Sequence, residues 1–283
     1  MIRSTTLLLF YAILASSQEQ DHKVIYTKQE LPLVDKVRAL SVYPGDKRRL
    51  LANDTAMEIR RLPVSLNKLR LADSLAFVST AGDPGHDTLQ EVATTLDDAM
   101  REQPGKLDSA YFDLARLVHY EHVQVSKATL DDPKFAGAMS QFEADDQHRR
   151  EVNFTLADLN GKNWTLKDLR GKVVLVIFWS SLIRFSPQEM LDCEALYQRF
   201  KKENLVILAI SGEKPEQVKN FVKSQKITFS VLCDPEQKVA RLFRIVGVSK
   251  SFVYDREGQL AAQAIDVRTR KQLSNMLEQA GLK

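Results

Sequence analysis

The chain of 283 residues has only two cysteines, Cys193 and Cys233, and a formal net charge of only +3. Two cysteines do not make a disulfide framework, so the fold cannot depend on a set of cross-links. The small charge, without a long basic run, excludes the usual electrostatic signature of nucleic-acid binding or of attachment to an anionic membrane. No phosphate loop, dinucleotide fingerprint or hydrolase elbow occurs, and we therefore predict no bound cofactor.

The apolar stretch near the N-terminus is short. It covers Leu7–Ala15, about nine residues, whereas a membrane-spanning helix needs about 20. The positive charge of Arg3 precedes it and the small residues 15–17 follow it, as in a cleaved signal peptide. We predict that residues 1–17 are removed and that the product is periplasmic or secreted, without a membrane anchor. An uncleaved short anchor is the alternative.

The remaining chain divides into two regions, predicted as residues 18–150 and residues 151–283. Apolar residues recur at helical spacing in the first region, between turns rich in proline and glycine, and they predict five or six short helices without a fixed repeat. In the second region short apolar runs alternate with helical patterns, which indicates an α/β layer structure. The run 173–178 is continuously apolar, as is typical of a strand buried on both faces.

Three segments of the second region resemble those of a known family. They are Phe154-x-Leu-x-Asp-Leu-x-Gly-Lys162, Leu166-x-x-Leu-Arg-Gly-Lys-Val-Val-Leu-Val176 and Phe252-x-x-Asp-x-x-Gly258. Their order resembles the redoxin family of thioredoxin-fold proteins, which includes TlpA-like and AhpC/TSA thiol–disulfide oxidoreductases. The resemblance implies a thioredoxin-like fold, a central mixed sheet flanked by helices, preceded here by an all-helical domain.

The family carries two catalytic cysteines, three residues apart, directly after the strand that ends here at Trp179. On that pattern the cysteine positions are occupied by Ile183 and Ser186. Isoleucine cannot ionise, and a serine hydroxyl needs an adjacent base, which the adjoining turn does not offer. All histidines of the chain lie in the first region: His22, His86, His119, His122 and His148. Ser186, Pro187 and Glu189 instead predict a capping box that starts a helix, with Ser186 as a nucleophile the alternative.

A further departure concerns the cis-proline that the family places before the strand at 251–254. This chain has Ser249 there. A cis bond before a residue other than proline costs about 3–4 kcal/mol, so we expect a trans peptide bond. The surviving Cys193 and Cys233 are predicted to be small buried hydrophobic residues, while a disulfide or a redox role for them stays open.

His119 and His122 lie three apart on a predicted helix and are the remaining candidates for metal binding. The pattern of a zinc site is incomplete there, and no metal site is predicted.

We interpret the chain as an exported, redox-inactive member of an oxidoreductase family that binds a protein or peptide partner. The helical domain and the face around Trp179, Leu182, Phe185 and Val248 are the predicted surfaces. The alternatives are an oxidoreductase or peroxiredoxin-like antioxidant acting through Cys193 or Cys233, and a purely structural module. The oligomeric state is left open.

Overall fold

The computed structural model of the protein describes residues 24–43, 45–245 and 247–283. The predicted signal peptide, residues 1–17, lies outside these residues and stays a prediction. In the described part of the chain, no helix combines the length and the apolar character needed to cross a membrane. We call residues 24–151 the helical half and residues 152–283 the sheet half.

The helical half is built from helices that bury one apolar stripe each. In α4, for example, the side chains of Leu89, Val92 and Leu96 follow helical spacing and are all buried. These stripes meet in one hydrophobic cluster that all the longer helices share. The helices are α1 (Leu31–Leu40), α2 (Gly45–Arg60), α3 (Leu66–Ser79), α4 (His86–Glu102), α5 (Asp108–Glu121), α6 (Lys127–Leu130) and α7 (Pro133–Glu151). The described residues of this half therefore form seven helices, against the five or six expected from the sequence, and one of the seven is the single turn α6.

The sheet half alternates strands and helices after a small hairpin. The hairpin strands are β1 (Thr155–Ala157) and β2 (Asn163–Thr165). The elements that follow are β3 (Val173–Trp179), α8 (Ser186–Phe200), β4 (Leu205–Ser211), α9 (Pro215–Gln225), β5 (Ser230–Cys233), α10 (Lys238–Leu242), β6 (Lys250–Tyr254), β7 (Leu260–Ala264) and α11 (Arg270–Gln279).

The five-stranded sheet has the order β5-β4-β3-β6-β7. Strands β3, β4 and β5 are parallel, while β6 is antiparallel to β3 and β7 is antiparallel to β6. The mixed sheet with helices on both faces confirms the predicted thioredoxin-like fold class. The exact boundary between the two predicted domains, at residues 150 and 151, stays a prediction.

Strand β3 lies at the centre of the sheet and is buried along its whole length. Because successive side chains point to opposite faces, Val173, Leu175, Ile177 and Trp179 belong to one hydrophobic cluster with α8, α9 and α11. The intervening residues belong to a second cluster, which includes residues of β6 and α10. This confirms the prediction of a strand buried on both faces, and it fixes the position of the segment that leaves β3.

Candidate functional site

The candidate site lies where β3 ends and α8 begins, in what we call the β3–α8 turn (residues 180–185). The segment before β6 reaches the same place, because the Ser249 hydroxyl donates a hydrogen bond to the Phe178 carbonyl at 3.1 Å. The same hydroxyl donates to the carboxylate of Glu189 in α8. The end of β3, the start of α8 and the residue before β6 are therefore held together by side-chain hydrogen bonds.

The capping box predicted for Ser186 and Glu189 is wrong. Ser186 is the first residue of α8, and its hydroxyl oxygen accepts from the Ser180 N–H at 3.2 Å. Phe185 precedes the helix without donating or accepting a side-chain cap bond. The capping geometry fails because Glu189 points into the interior, towards Ser249, rather than back to the start of the helix.

The β3–α8 turn is held by a carboxylate from the neighbouring strand end. Glu213 accepts from the Ser181 N–H at 2.6 Å and also from the Ser181 hydroxyl. The Ser180 hydroxyl oxygen accepts from the Leu182 N–H at 3.1 Å. The turn is therefore held together by these hydrogen bonds, none of which involves a histidine.

Ile183 and Ser186, the residues at the family's cysteine positions, differ in environment. Ser186 is fully buried, whereas Ile183 is half-buried and its backbone N–H donates to the Ser180 carbonyl at 3.3 Å. Neither side chain can form a thiolate. Among the residues that the structure describes, no group of three or more histidine, cysteine, aspartate or glutamate side chains could hold a metal ion.

Glu189 is the buried acid of this site, with 1% of its surface exposed. One carboxylate oxygen accepts from the Arg268 backbone N–H at 2.8 Å, and the other accepts from the Ser249 hydroxyl. Burial raises the pKa of Glu189 to about 7, although these two hydrogen bonds act in the opposite direction. From the sequence, Glu189 is predicted only as part of a helix cap. A glutamate in the first turn of a helix gave no local signal that it faces the interior.

The expectation of a trans peptide bond before Ser249 is wrong, because the bond between Val248 and Ser249 is cis. The preference for trans is a local property of the chain. In the fold, Ser249 is fully buried and its hydroxyl binds both Phe178 and Glu189, and these contacts hold the segment where the cis bond places it.

Both cysteines are free thiols. Cys193 is fully buried in the middle of α8, and burial followed by the charge of Glu189 raises the pKa of its thiol well above the ordinary value. Cys233 is half-buried at the end of β5, and burial followed by the charge of Glu213 raises its pKa as well. A reactive cysteine needs a lowered pKa, so both environments oppose thiolate formation.

The four residues predicted to form a binding face are not equally accessible. Leu182 has 77% of its surface exposed, while Phe185 and Val248 are half-buried. Trp179 is completely buried and its ring lies 4.9 Å from that of Phe221, so it cannot contact a partner directly. The sequence placed Trp179 at the strand end, but only packing against α9 determined that its side chain turns inward.

The prediction that His119 and His122 lie on one helix is wrong. Helix α5 ends at Glu121, and His122 follows it in the left-handed conformation with φ 57°. His119 lies 2.7 Å from a carboxylate oxygen of Asp146 in α7. His122 therefore follows the helix rather than belonging to it, and His119 has a structural partner in α7.

The helical half contacts the sheet half close to the site. The guanidinium of Arg48 lies 5.8 Å from the centre of the Phe185 ring, and Arg268 pairs with Glu121 at 2.6 Å. Lys250 also lies in this region, where loss of water lowers its pKa to about 8 and the charge of Asp266 acts in the opposite direction. None of these charged groups was singled out from the sequence, because their partners lie in distant parts of the chain.

Comparisons with known proteins relate the sheet half to redox proteins. A model of the AhpC/TSA family matches residues 149–263, from the last turn of α7 into β7. The thiol-disulfide oxidoreductase ResA of Bacillus cereus (strain ZK / E33L) is 33% identical over 127 residues, which are 44% of this chain and 73% of that protein. ResA of Bacillus subtilis (strain 168) is 32% identical over 133 residues, 47% of this chain and 72% of that protein. A crystal structure of a putative thiol:disulfide interchange protein DsbE from Chlorobium tepidum has 24% identity and a TM-score of 0.44, covering 46% of this chain and 94% of that one.

Proposed function

The chain belongs to the thioredoxin-fold redoxin family, the AhpC/TSA group of thiol–disulfide oxidoreductases, and we propose that it is a redox-inactive member that binds a protein or peptide partner. One observation carries this proposal. The β3–α8 turn contains no sulfur and is held instead by the carboxylate of Glu213 and by the serine hydroxyls. Thiol–disulfide exchange needs a thiolate that can attack a disulfide, and this position offers none.

The two surviving thiols support the same proposal. Cys193 is fully buried, and the pKa values of both thiols are raised rather than lowered. The rival function is an oxidoreductase or antioxidant that uses one of them. It is favoured by the relatives, which are thiol-disulfide oxidoreductases, and by the partial exposure of Cys233.

An insulin-reduction assay with dithiothreitol separates the two functions. We expect the wild-type chain to precipitate insulin no faster than dithiothreitol alone, and we expect the Cys193→Ser and Cys233→Ser variants to behave identically. Turnover above that background, abolished by either substitution, would overturn the proposal in favour of the oxidoreductase.

The scaffold itself is tested by returning the family's residues to it. The triple variant Ile183→Cys, Ser186→Cys and Ser249→Pro is expected to reduce insulin at least about tenfold faster than the wild type, because a cysteine at the start of α8 gains the favourable field of the helix N-terminus. A control with the same spacing, Ser181→Cys with Arg184→Cys, is expected to stay at background. Equal rates for the two variants would contradict the alignment of the turn with the family's catalytic motif.

We propose that the partner binds to a face formed by Leu182, Phe185 and Val248. Leu182 is a large apolar side chain in an exposed turn, and such residues support association when they lie beside other apolar groups. Affinity capture from an extract of exported proteins should retain one protein on the wild type but not on Leu182→Asp. The control Leu130→Asp changes an exposed leucine of the helical half, 54% exposed, and should leave retention unchanged.

Export to the periplasm or the outside is part of the proposal and is supported by the N-terminal pattern of Arg3, a short apolar core and small residues. Expression of the full chain in a bacterial host followed by mass determination tests it. We expect a mature product that begins after residue 17 in the exported fraction. A full-length product retained in the cell would contradict it.

A further inference from the structure

Arg268 joins the helical half to the sheet half through its side chain. Its guanidinium donates to the Glu121 carboxylate at 2.6 Å and to the Thr80 carbonyl at 3.2 Å. The side chains of Arg268 and Glu121 are 7% and 13% exposed, so the pair is largely removed from water. Charge-assisted hydrogen bonds of this kind are strong and geometrically specific.

The backbone of the same residue reaches the candidate site. The Arg268 N–H donates to Glu189 at 2.8 Å, and Glu189 in turn accepts from the Ser249 hydroxyl. A continuous series of hydrogen bonds therefore runs from α5 of the helical half, through Arg268 and Glu189, to the segment that precedes β6. Arg268 is the residue at which the two parts of this series meet, through its side chain on one side and its backbone N–H on the other.

Residues beside Arg268 also bind the helical half. The Thr80 hydroxyl donates to Asp266 at 2.7 Å, and the Gly82 N–H donates to the Val267 carbonyl at 2.8 Å. Arg48, in α2, lies over the ring of Phe185 at 5.8 Å. The helical half therefore contacts the strip 266–268 and also an apolar residue of the proposed partner-binding face.

These contacts are polar, and the hydrophobic cores on either side are separate. Of the hydrophobic clusters found in the described residues, one contains only residues of the helical half and the other two contain only residues of the sheet half. Contacts between domains of one chain that lack a shared apolar core resemble transient protein interfaces, and relative motion is the default for them. The contacts with the strip 266–268 and with Phe185 can therefore open without unfolding either half, while α7 stays joined to the sheet half by the bond from Arg149 to the Phe243 carbonyl at 2.9 Å.

We propose that the helical half covers the Phe185 part of the partner-binding face in cis, with Arg268 as its latch. Leu182 is exposed in the closed state, whereas an external partner reaches Phe185 only when the latch opens. This inference rests on the proposed partner-binding function for the identity of the face, but the latch itself is a property of the chain alone. The structure is its closed state.

Hydrogen–deuterium exchange of the full chain tests the latch. In Arg268→Ala we expect amides in peptides covering residues 80–82 and 180–186 to exchange at least tenfold faster than in the wild type, while β3 and β4 exchange at unchanged rates. The control Arg60→Ala breaks an arginine–glutamate pair of 2.8 Å inside the helical half and should leave residues 180–186 unchanged. Unchanged exchange at 80–82 and 180–186 in Arg268→Ala would overturn the latch.

A second variant covers the case in which Arg268→Ala accelerates exchange throughout the sheet. Glu121→Gln keeps the size of the partner side chain and removes its charge, and the same selective acceleration in this variant supports the latch. Its absence overturns the latch. Capture of the partner then separates the two proposals. If exchange rises selectively but Leu182→Asp retains the partner as the wild type does, the latch stands and the proposed binding face is wrong.

Discussion

Two acids with a raised pKa, one in each half of this protein, differ in what they contact. In the helical half, Asp73 is hydrogen-bonded to Ser109 at 2.8 Å and its neighbour is Asp113, so its contacts stay within that half. In the sheet half, Glu189 is bonded to Ser249 and to Arg268, and Arg268 continues into the helical half. Glu189 is therefore connected to the candidate site and to the helical half, whereas the contacts of Asp73 stay within its own half.

The hydrophobic interiors differ as well. The helical half has one cluster, assembled from the inner stripes of its helices, and the sheet half has two, one on each face of the central sheet. The family match covers residues 149–263 and so includes only the sheet half and the end of α7. The sheet half therefore has a scaffold shared with redox enzymes, and the family match does not extend over the helical half.

The largest expected effect comes from truncating one buried leucine in the hydrophobic core of either half. Leu75→Ala in the helical half and Leu208→Ala in the sheet half each remove a fully buried side chain and should each lower the free energy of unfolding by about 2–5 kcal/mol. Both tryptophans, Trp164 and Trp179, lie in the sheet half, so fluorescence reports that half in urea unfolding. Far-UV circular dichroism reports the helices of both.

Because the cores are separate, Leu208→Ala should shift the fluorescence midpoint, and Leu75→Ala should shift the circular dichroism midpoint further than the fluorescence midpoint. Coincident midpoints from the two probes in both variants would show that the halves unfold as one cooperative unit. The separate hydrophobic cores would then not give the two halves separate stabilities.

The next effect concerns pH and the buried carboxyl of the sheet half. The pKa of Glu189 rises from 4.5 to about 7 in the folded protein, so the folded state binds the proton more tightly than the unfolded state does. Its contribution is therefore fully present below pH 4.5 and is lost as the pH rises through 7, a loss of roughly 3 kcal/mol. Fluorescence-detected urea midpoints between pH 4 and 8 measure this, at about half-unit steps.

Glu189→Gln should remove this part of the pH dependence, because the amide does not titrate. Asp73→Asn is the matched substitution in the helical half, where burial and the charge of Asp113 also raise the pKa of Asp73 to about 7. Its effect should appear in circular dichroism more than in fluorescence. A fluorescence slope identical in the wild type and in Glu189→Gln would contradict the assignment.

A smaller effect is expected from two neighbouring serines of the sheet half. Ser249→Ala removes hydrogen bonds to Phe178 and Glu189 and should cost about 1–2 kcal/mol of stability. Ser251→Ala removes a buried hydroxyl that has no hydrogen-bond partner in the described structure, so it should be close to neutral. Chemical unfolding of both variants at one pH measures the difference, and equal losses would show that the Ser249 bonds contribute nothing.

The smallest effect is expected at the surface, and it should be the same in both halves. Lys127 pairs with Asp131 in the helical half and Lys238 pairs with Glu236 in the sheet half, all with more than half of the side chain exposed. Exposed ion pairs contribute little because water and salt screen them. The urea midpoints of Lys127→Ala and Lys238→Ala should equal that of the wild type within experimental error. A clear shift in either variant would show that surface charge stabilises the half that contains the substituted lysine.

Several parts of the fold could be predicted because their signals are local. The continuous apolar run of β3, the strand–helix alternation and the family segments lie within single elements or between neighbours, and their order alone indicated a thioredoxin-like sheet. The cap of α11 is similar, since Thr269 and Gln272 bond each other three residues apart. A wrong local prediction, the capping box at Ser186, failed where a distant partner competed for Glu189.

By itself, then, the sequence determined the fold class, the order of the elements and the absence of cysteine from the β3–α8 turn. These follow from periodicity and residue identity, which need no knowledge of distant contacts. Only the tertiary structure decided that Glu189 faces inward to Ser249, 60 residues away, and that Arg268 meets Glu121, 147 residues away. Such pairs leave no periodic trace in the chain, because the two partners come together only after the sheet and the helices have packed.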